Sequence, residues 1–338
     1  MLGRACASVL WQDGGMGMSP SAETLARRVR TVSRLIAITM LSVVLAPALF
    51  LLAVVVDMAR FVVNRRPFMS VRVLAFGFVY LWAELQGLLS ALLDRSIDGG
   101  YAAQARWGSS LFVAVRALFS LRFVVQGDEV ISQVMRPIVL VRHTSIIDSL
   151  VAPIFITKAH GLRLRFVLKR ELLEDPCFDI VGTRLPNHFV ARTRDGTVND
   201  LTAIRLLAAG LAHDEGVLIY PEGTRFTVAK RARAIQRMAK DDSAHLASAQ
   251  SLVNLLPPKP AGVSALLDGA PWADAIFVAH EGLDGFASVS DIWSGALLGR
   301  NVRVRMWRVA RADIPDEPVA RTQWLYGEWR KMDAWLSS

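Results

Sequence analysis

Two residues of the segment IVLVRHTSIIDSLVAP, His143 and Asp148, place an imidazole and a carboxylate in an otherwise largely apolar run. His143 follows a buried-strand pattern, and the residues after it predict a helix that begins at Thr144 or Ser145. In open α/β sheets, ligands bind outside the carboxyl ends of strands. Because helical side chains lean toward the helix N-terminus, we expect Asp148 to lean back toward His143. Such a carboxylate would leave the other ring nitrogen as a general base.

Asp148 also has a purely structural interpretation. The pattern Ser145-x-x-Asp148 resembles a capping box, and a carboxylate in the first turn of a helix interacts favourably with the helix dipole. The local sequence supports this role and the catalytic role equally. A histidine by itself is also more often structural than catalytic, so the pair needs support from a second element.

The segment YPEGTR supplies that element, because it follows another apolar strand pattern. Gly223 would let a ligand approach the backbone, Thr224 offers a hydroxyl, and Arg225 presents a planar fork suited to phosphate. The alternative is an ordinary Pro-Glu-Gly turn with a solvated arginine. Between the two elements, the segment LPNHFVARTR places Phe189 and Arg192 on a short predicted strand. There, Arg192 is either a second phosphate contact or a surface arginine.

The elements that must position these residues alternate between strands and helices. From residue 111 onward, strand patterns alternate with helical patterns of about a dozen residues, which predicts an α/β fold with a sheet flanked by helices. Residues 145–157 and 200–213 are among the predicted helices. Residues 302–310 alternate basic and apolar residues, as a half-exposed edge strand would. Residues 326–336 predict a C-terminal amphipathic helix.

Composition points to a membrane-attached protein. Hydrophobic residues make up 53% of the 338 residues, mean hydropathy is +0.35, and the formal net charge is +9. Such a charge suits anionic lipid or phosphate-bearing substrates as partners. No nucleic-acid-binding signature accompanies the arginines, so we expect no nucleic-acid partner. Two cysteines, Cys6 and Cys177, provide neither a disulfide framework nor a metal-type pair, and a reducing cytosolic face is the default.

The chain is predicted to divide into three parts: a disordered leader (1–24), a membrane-anchoring helical segment (25–100) and a catalytic domain (101–338). Residues 35–56 form an uncharged run of roughly 33 Å as a helix, enough to cross a bilayer core of about 30 Å. The alternative is a buried core helix. Residues 73–93, interrupted by Glu84 and Gln86, could be a second span, a re-entrant segment or an interfacial helix. Arginines on both sides of the first run suit a shallow hairpin whose two ends meet one anionic surface.

Together, these segments resemble the glycerophospholipid acyltransferase family, the 1-acylglycerol-3-phosphate acyltransferases and their lysophospholipid-acylating relatives. His143-x4-Asp148 resembles the family's catalytic His-x4-Asp motif. Residues 189–192 resemble its second block, and residues 222–225 its Glu-Gly-Thr-Arg block. The segment LLPPKPAG, which contains Pro258, resembles the fourth, proline-containing block of the branch that includes the lysocardiolipin acyltransferases. The resemblance covers residues 119–315.

The chain departs from the family pattern in two places. Ala191 stands where the second block commonly has a charged residue, which leaves the acceptor open. The run AKRARAIQRMAK after the third block is unusually basic. It is either a solvated helix face or a contact for anionic headgroups or the phosphates of coenzyme A.

The resemblance implies a glycerol-3-phosphate acyltransferase-like mixed sheet preceded by membrane-embedded helices. It implies transfer of a fatty acyl group from acyl-CoA or acyl-carrier protein to a lysophospholipid hydroxyl, first of all 1-acylglycerol-3-phosphate, in phospholipid biosynthesis or remodelling. His143 would be the general base and Asp148 its partner. No metal and no cofactor beyond the acyl donor is implied. The acceptor-binding and supporting residues would be Arg192, Glu222, Gly223, Thr224 and Arg225, with Phe189, Pro221 and Pro258.

The sequence also bears on the oxyanion, on alternative functions and on location. The sequence does not identify the oxyanion donors; backbone N–H groups at the start of the helix near Thr144 and Ser145 are the candidates. A thioester or ester hydrolase on the same fold, and a non-catalytic membrane lipid-binding protein, are the alternative functions. There is no Gly-x-Ser-x-Gly elbow to indicate a covalent acyl-enzyme. The expected location is a membrane, the inner membrane in a bacterium, with the catalytic domain on the cytoplasmic side.

Overall fold

The computed structural model describes residues 21–191, 196–241, 244–284 and 289–338. Its seven strands form one mixed sheet in the order β1-β7-β6-β2-β5-β3-β4. The strands are β1 (Arg122–Gln126), β2 (Ile138–Val141), β3 (Arg163–Lys169), β4 (His188–Val190), β5 (Glu215–Ile219), β6 (Ala275–Glu281) and β7 (Asn301–Val309). The helices are α1 (Ala22–Asn64), α2 (Ser70–Leu93), α3 (Ile97–Leu118), α4 (Asp148–Ala152), α5 (Gly196–Ala209), α6 (Val228–Lys240), α7 (Leu246–Ser251), α8 (Pro260–Gly269), α9 (Val289–Ser294) and α10 (Pro318–Leu336). This architecture confirms the predicted fold class.

Parallel pairing brings the ends of five strands to one edge of the sheet. β2 pairs in parallel with both β5 and β6, β5 with β3, and β3 with β4. All four residues of β2 are buried because helices cover both faces of the sheet. The segments that follow β2, β5 and β6 therefore meet at the carboxyl edge, where the predicted site residues lie.

The prediction that residues 302–310 form an edge strand is wrong. β7 lies between β1, with which it is parallel, and β6, with which it is antiparallel. Val302, Val304 and Met306 are buried, whereas Arg305 on the other face is exposed. The basic and apolar residues thus alternate because this interior strand has one buried face and one face exposed to solvent. β1 forms the edge instead.

Three predicted helix boundaries are corrected. Helix α1 begins at Ala22, where Ser21 Oγ accepts the N–H of Thr24 at 3.2 Å, so residues 22–24 belong to the helix and not to the leader. The helix predicted from residue 145 begins only at Asp148. It continues beyond α4 as a π-helical turn, Pro153–Lys158, which begins at Pro153, a residue without an N–H to donate. Helix α5 begins four residues earlier than the predicted 200–213.

The N-terminal helices pack as a layer on the sheet domain. α2 contacts α1 on one side and α3 on the other. Glu84, which interrupts the second apolar run, is fully buried and accepts hydrogen bonds from Trp107 Nε1 at 2.7 Å and from the Cys177 N–H at 3.2 Å. This carboxyl group therefore connects α2 to the catalytic domain.

Both ends of α1 also contact the catalytic domain. Near its start, Arg27 and Arg28 pair with Asp179 at 2.9 and 3.2 Å. Near its end, Arg60 Nη2 donates to the carbonyl oxygen of Trp293 at 2.8 Å. Within the described residues, α1 and α2 are the two helices whose length and hydropathy are sufficient to cross a membrane.

Candidate active site

The two residues singled out by their spacing lie in contact. His143 Nδ1 is 3.1 Å from Oδ2 and 3.2 Å from Oδ1 of Asp148. The buried Asp148 carboxylate also accepts the backbone N–H groups of Thr144 at 2.6 Å and Ser145 at 2.9 Å. In return, Ser145 Oγ accepts the N–H of Asp148 at 3.1 Å. The reciprocal pair is a capping box, so one carboxylate caps the turn and holds the imidazole.

The electrostatic environment keeps this carboxylate ionised. Burial acts to raise the pKa of Asp148, but the hydrogen bond and charge of His143, the charge of His280 and the Ser145 N–H outweigh burial, and the pKa lies below its usual value. An ionised Asp148 favours a proton on Nδ1 of the His143 ring. The His143 side chain is 16% exposed. In the part of the chain that the structure describes, no hydrogen bond from protein occupies its Nε2, which is therefore available as a base.

The candidate oxyanion donors are not available. The N–H groups of Thr144 and Ser145 both donate to Asp148 Oδ2. An N–H that already serves a buried carboxylate cannot at the same time stabilise a developing oxyanion. These two N–H groups are therefore excluded as candidate oxyanion donors. The sequence could not show that both N–H groups donate to Asp148, because their direction depends on the geometry of the capped turn.

Two residues that the sequence interpretation missed complete the surroundings of the pair. The Tyr220 ring lies 4.6 Å from the His143 ring, centroid to centroid, with an interplanar angle of 37°. His280, at the end of β6, is fully buried, with Nε2 2.9 Å from the carbonyl oxygen of Arg142 and 3.8 Å from Asp148 Oδ2. Burial lowers the pKa of His280, although the charge of Asp148 opposes the shift. The sequence feature that could have identified His280 is its position within the apolar run AIFVAHE.

Glu222 joins the first and third motif segments. Its Oε1 accepts the His143 N–H at 2.9 Å, and its Oε2 accepts the Leu256 N–H at 3.0 Å. The Phe226 N–H donates to the His143 carbonyl oxygen at 2.7 Å, which adds a second connection. Burial raises the pKa of Glu222 to about 8, although the two N–H donors and Arg142 favour the ionised form. Glu222 thus connects the backbone of His143 to the backbone of Leu256.

The rest of the third segment forms a turn lined by cations. Gly223 has a φ of +65°, a left-handed conformation that glycine adopts without strain. A Cβ at this position would lie 3.0 Å from Lys259 Nζ, so the Lys259 side chain lies against the turn. Lys230 Nζ donates to Thr224 Oγ1 at 3.1 Å and to the Arg225 carbonyl oxygen at 3.0 Å. Arg225 therefore lies in a turn with two lysines nearby.

The fourth segment packs on the third one. Pro221 and Pro258 are both buried, and the Lys259 N–H, directly after Pro258, donates to the Pro221 carbonyl oxygen at 2.9 Å. The two prolines thus shape neighbouring loops. The structure therefore brings together the first, third and fourth motif segments.

The second motif segment lies farther away. Phe189 is half-buried in the edge strand β4, opposite Leu168 of β3. Three strand spacings, roughly 14 Å, separate β4 from β2. The ring of Phe189 lies against Gly182, which is a packing contact. Arg192 lies outside the described residues, so its phosphate contact stays a prediction.

Comparison with known proteins agrees with this geometry. A sequence model of the acyltransferase family matches residues 122–257, which contain the first three motif segments. Residues 122–257 therefore contain an acyltransferase domain, which supports the glycerophospholipid acyltransferase family that the motifs predicted. Among solved structures, the chain is similar to the 1-acyl-sn-glycerophosphate (LPA) acyltransferase PlsC from Thermotoga maritima, with a TM-score of 0.51 and 14% identity. The match covers 79% of this chain and 97% of that one, and it shows a shared fold. Comparison with curated protein sequences gives no significant match.

Proposed function

We propose that this acyltransferase moves a fatty acyl group from a thioester, acyl-CoA or acyl-carrier protein, to a hydroxyl of a lysophospholipid, first of all 1-acylglycerol-3-phosphate. The observation that carries the proposal is the His143–Asp148 pair. Its imidazole is held through Nδ1, and Nε2 has no protein partner among the described residues. A base with this orientation beside an arginine-containing turn suits an acceptor that carries both a hydroxyl and a phosphate.

In the proposed reaction, His143 Nε2 takes the proton of the acceptor hydroxyl while the hydroxyl oxygen attacks the thioester carbonyl carbon. The C–S bond then breaks, and the departing thiolate takes the proton from the imidazolium, so that an ester and a free thiol form. The ionised Asp148 stabilises the imidazolium between these two proton transfers. The role of the protein is to supply a correctly oriented base and to hold the two substrates together.

The acceptor phosphate would lie at the turn that contains Arg225. Arg225 would provide the planar fork, and Lys230 and Lys259 would add positive charge next to the turn. Lys230 also fixes the turn itself through Thr224 and the Arg225 carbonyl oxygen. Arg192 would be a further phosphate contact, as the family motif implies.

We further propose that the helical layer attaches the enzyme to one face of a membrane, the cytoplasmic one. The contacts of both α1 ends with the catalytic domain support this arrangement, because a helix that crosses the bilayer would separate its ends by roughly 30 Å of hydrocarbon. The outward face of α1 is apolar and exposed, at Ile38, Leu41, Val44, Leu51 and Val55 among others. Such a face would lie in the headgroup and acyl boundary, where the lysolipid acceptor is also found.

The test is a panel of lysolipids with labelled acyl-CoA on membranes that contain wild-type protein or the His143→Ala variant. We expect a diacyl product whose identity gives the acceptor, and no product with His143→Ala. Vesicle flotation should show that the variant still binds membranes. Release of labelled fatty acid without any acceptor would instead indicate a hydrolase. Robust transfer by His143→Ala would overturn the mechanism.

A further inference from the structure

Helix α6, which follows the acceptor-binding turn directly, has two different faces. It contains five basic residues and no acidic one. Lys230 and Arg231 face the protein, where Lys230 holds the motif turn and Arg231 Nη2 donates to the Gln250 carbonyl oxygen at 2.9 Å. The contacts of these two cations hold the helix against the rest of the protein.

The other three cations form a stripe on the outward face. Arg233, Arg237 and Lys240 are exposed and lie at positions i, i+4 and i+7, on one side of the helix. Arg233 and Arg237 each donate to a carbonyl oxygen of α6 itself, at 3.2 and 3.4 Å. Within the described residues, none of the three forms a salt bridge. We call this set the cationic stripe.

Two exposed apolar side chains lie close in sequence to the motif turns, one of them on the same helix as the stripe. Val228, the first residue of α6, is 76% exposed, and it lies three positions after Arg225. Ile146, three positions after the catalytic His143, is 50% exposed. Exposed aliphatic residues beside basic ones are typical of a surface that lies at a membrane interface, where hydrocarbon and anionic headgroups meet.

We propose that α6 and Ile146 form a second membrane-docking surface, separate from the N-terminal helices, which binds anionic lipid headgroups. The stripe binds the headgroups, and Val228 and Ile146 enter the lipid layer. Docking brings the mouth of the site against the bilayer from which the acceptor comes. An acidic carrier protein would also be attracted by the three cations, but it would leave both aliphatic residues without an apolar partner. The docking itself does not depend on the proposed reaction.

Docking is measured from the emission wavelength of a fluorophore on α6. An environment-sensitive dye is attached to Val228→Cys in full-length protein that carries Cys6→Ser, since Cys177 is buried. The protein is bound to vesicles of phosphatidylcholine alone or with phosphatidylglycerol. We expect a blue shift that requires the anionic lipid and disappears in 1 M salt, where the Debye length is about 3 Å. Replacing the stripe by three glutamines should lower the docked-to-undocked ratio on the order of 100-fold at low salt.

The matched control removes three positive charges elsewhere. Arg205, Arg305 and Arg330 are exposed on α5, β7 and α10, and their replacement by glutamine should leave the shift unchanged. An equal loss in both triple variants would overturn the proposal, as would a shift that appears only after addition of an acyl-carrier protein. Acyl transfer is measured on the same vesicles. If the lipid-dependent shift persists while no lysolipid is acylated, docking stands and the proposed reaction is wrong.

Discussion

The replacement of Asp148 by asparagine tests the catalytic pair with little change in shape. Oδ2 accepts both the Thr144 and the Ser145 N–H groups, and the amide oxygen of asparagine can occupy the same place. The capped turn should therefore persist. The amide NH2 then faces His143 Nδ1, where it can only donate. A hydrogen bond from this NH2 to Nδ1 favours the tautomer that carries its proton on Nε2, and in that tautomer the ring cannot accept a proton from the acceptor hydroxyl.

The size of the effect follows from the charge that is lost. Two unit charges about 4 Å apart interact by about 4 kcal/mol at an effective dielectric constant of about 20, and Nδ1 lies 3.1 Å from Oδ2. Loss of this stabilisation of the imidazolium corresponds to a decrease of roughly 10³-fold in kcat. The unfavourable tautomer adds to this loss. The acceptor KM should change little, because Asp148 makes none of the proposed phosphate contacts.

The assay is initial-rate acyl transfer with labelled acyl donor at saturating acceptor. Ser149→Ala is the matched control. Among the described residues, this exposed hydroxyl bonds only to the Ile146 carbonyl oxygen, at 2.8 Å, so the activity of the variant should equal that of wild type. Thermal unfolding should show that Asp148→Asn is folded. A folded Asp148→Asn enzyme with more than about a tenth of wild-type kcat would refute the role of Asp148 in orienting and stabilising His143.

Two further predictions concern the residues that fix the motif turns. The pKa of Glu222 is raised to about 8 by burial, so the stability contributed by its protonated form is complete below its unfolded-state pKa near 4.3 and is lost as pH rises through about 8. Relative to the non-ionising Glu222→Gln, the free energy of unfolding of wild type should therefore fall by up to about 1.4 kcal/mol per pH unit between pH 5 and 8. Thermal unfolding of both proteins measures this difference. A difference that does not vary with pH would show that Glu222 is ionised in the folded protein. Lys230→Met removes the contacts with Thr224 and the Arg225 carbonyl oxygen and should raise the acceptor KM about tenfold, with a smaller effect on kcat. The control is Arg233→Met, on the outward face of the same helix, with acceptor supplied in detergent micelles without anionic lipid. An unchanged acceptor KM in Lys230→Met would contradict the role of Lys230 in positioning the turn.

Local patterns in the sequence determined the parts of the site that adjoin strand ends. Strand periodicity placed His143 and the Glu222–Arg225 turn after buried strands, and parallel pairing of β2 with β5 then brings them together. The five-residue separation of His143 and Asp148 predicted their contact, because the lean of side chains in a first helical turn depends only on local geometry. The two apolar helices were equally predictable from composition and length. Local information was sufficient for each of these features.

The tertiary structure decided which partners each polar group has. The Thr144 and Ser145 N–H groups serve Asp148 and not an oxyanion. Glu84, which looked like an interruption in an apolar helix, meets Cys177 from a segment far along the chain. His280 reaches Asp148 because β6 pairs with β2, a choice of strand order that no local period encodes. A hydrophobic pattern fixes which face of an element is buried, whereas the identity of the neighbour across that face depends on how the whole sheet is assembled.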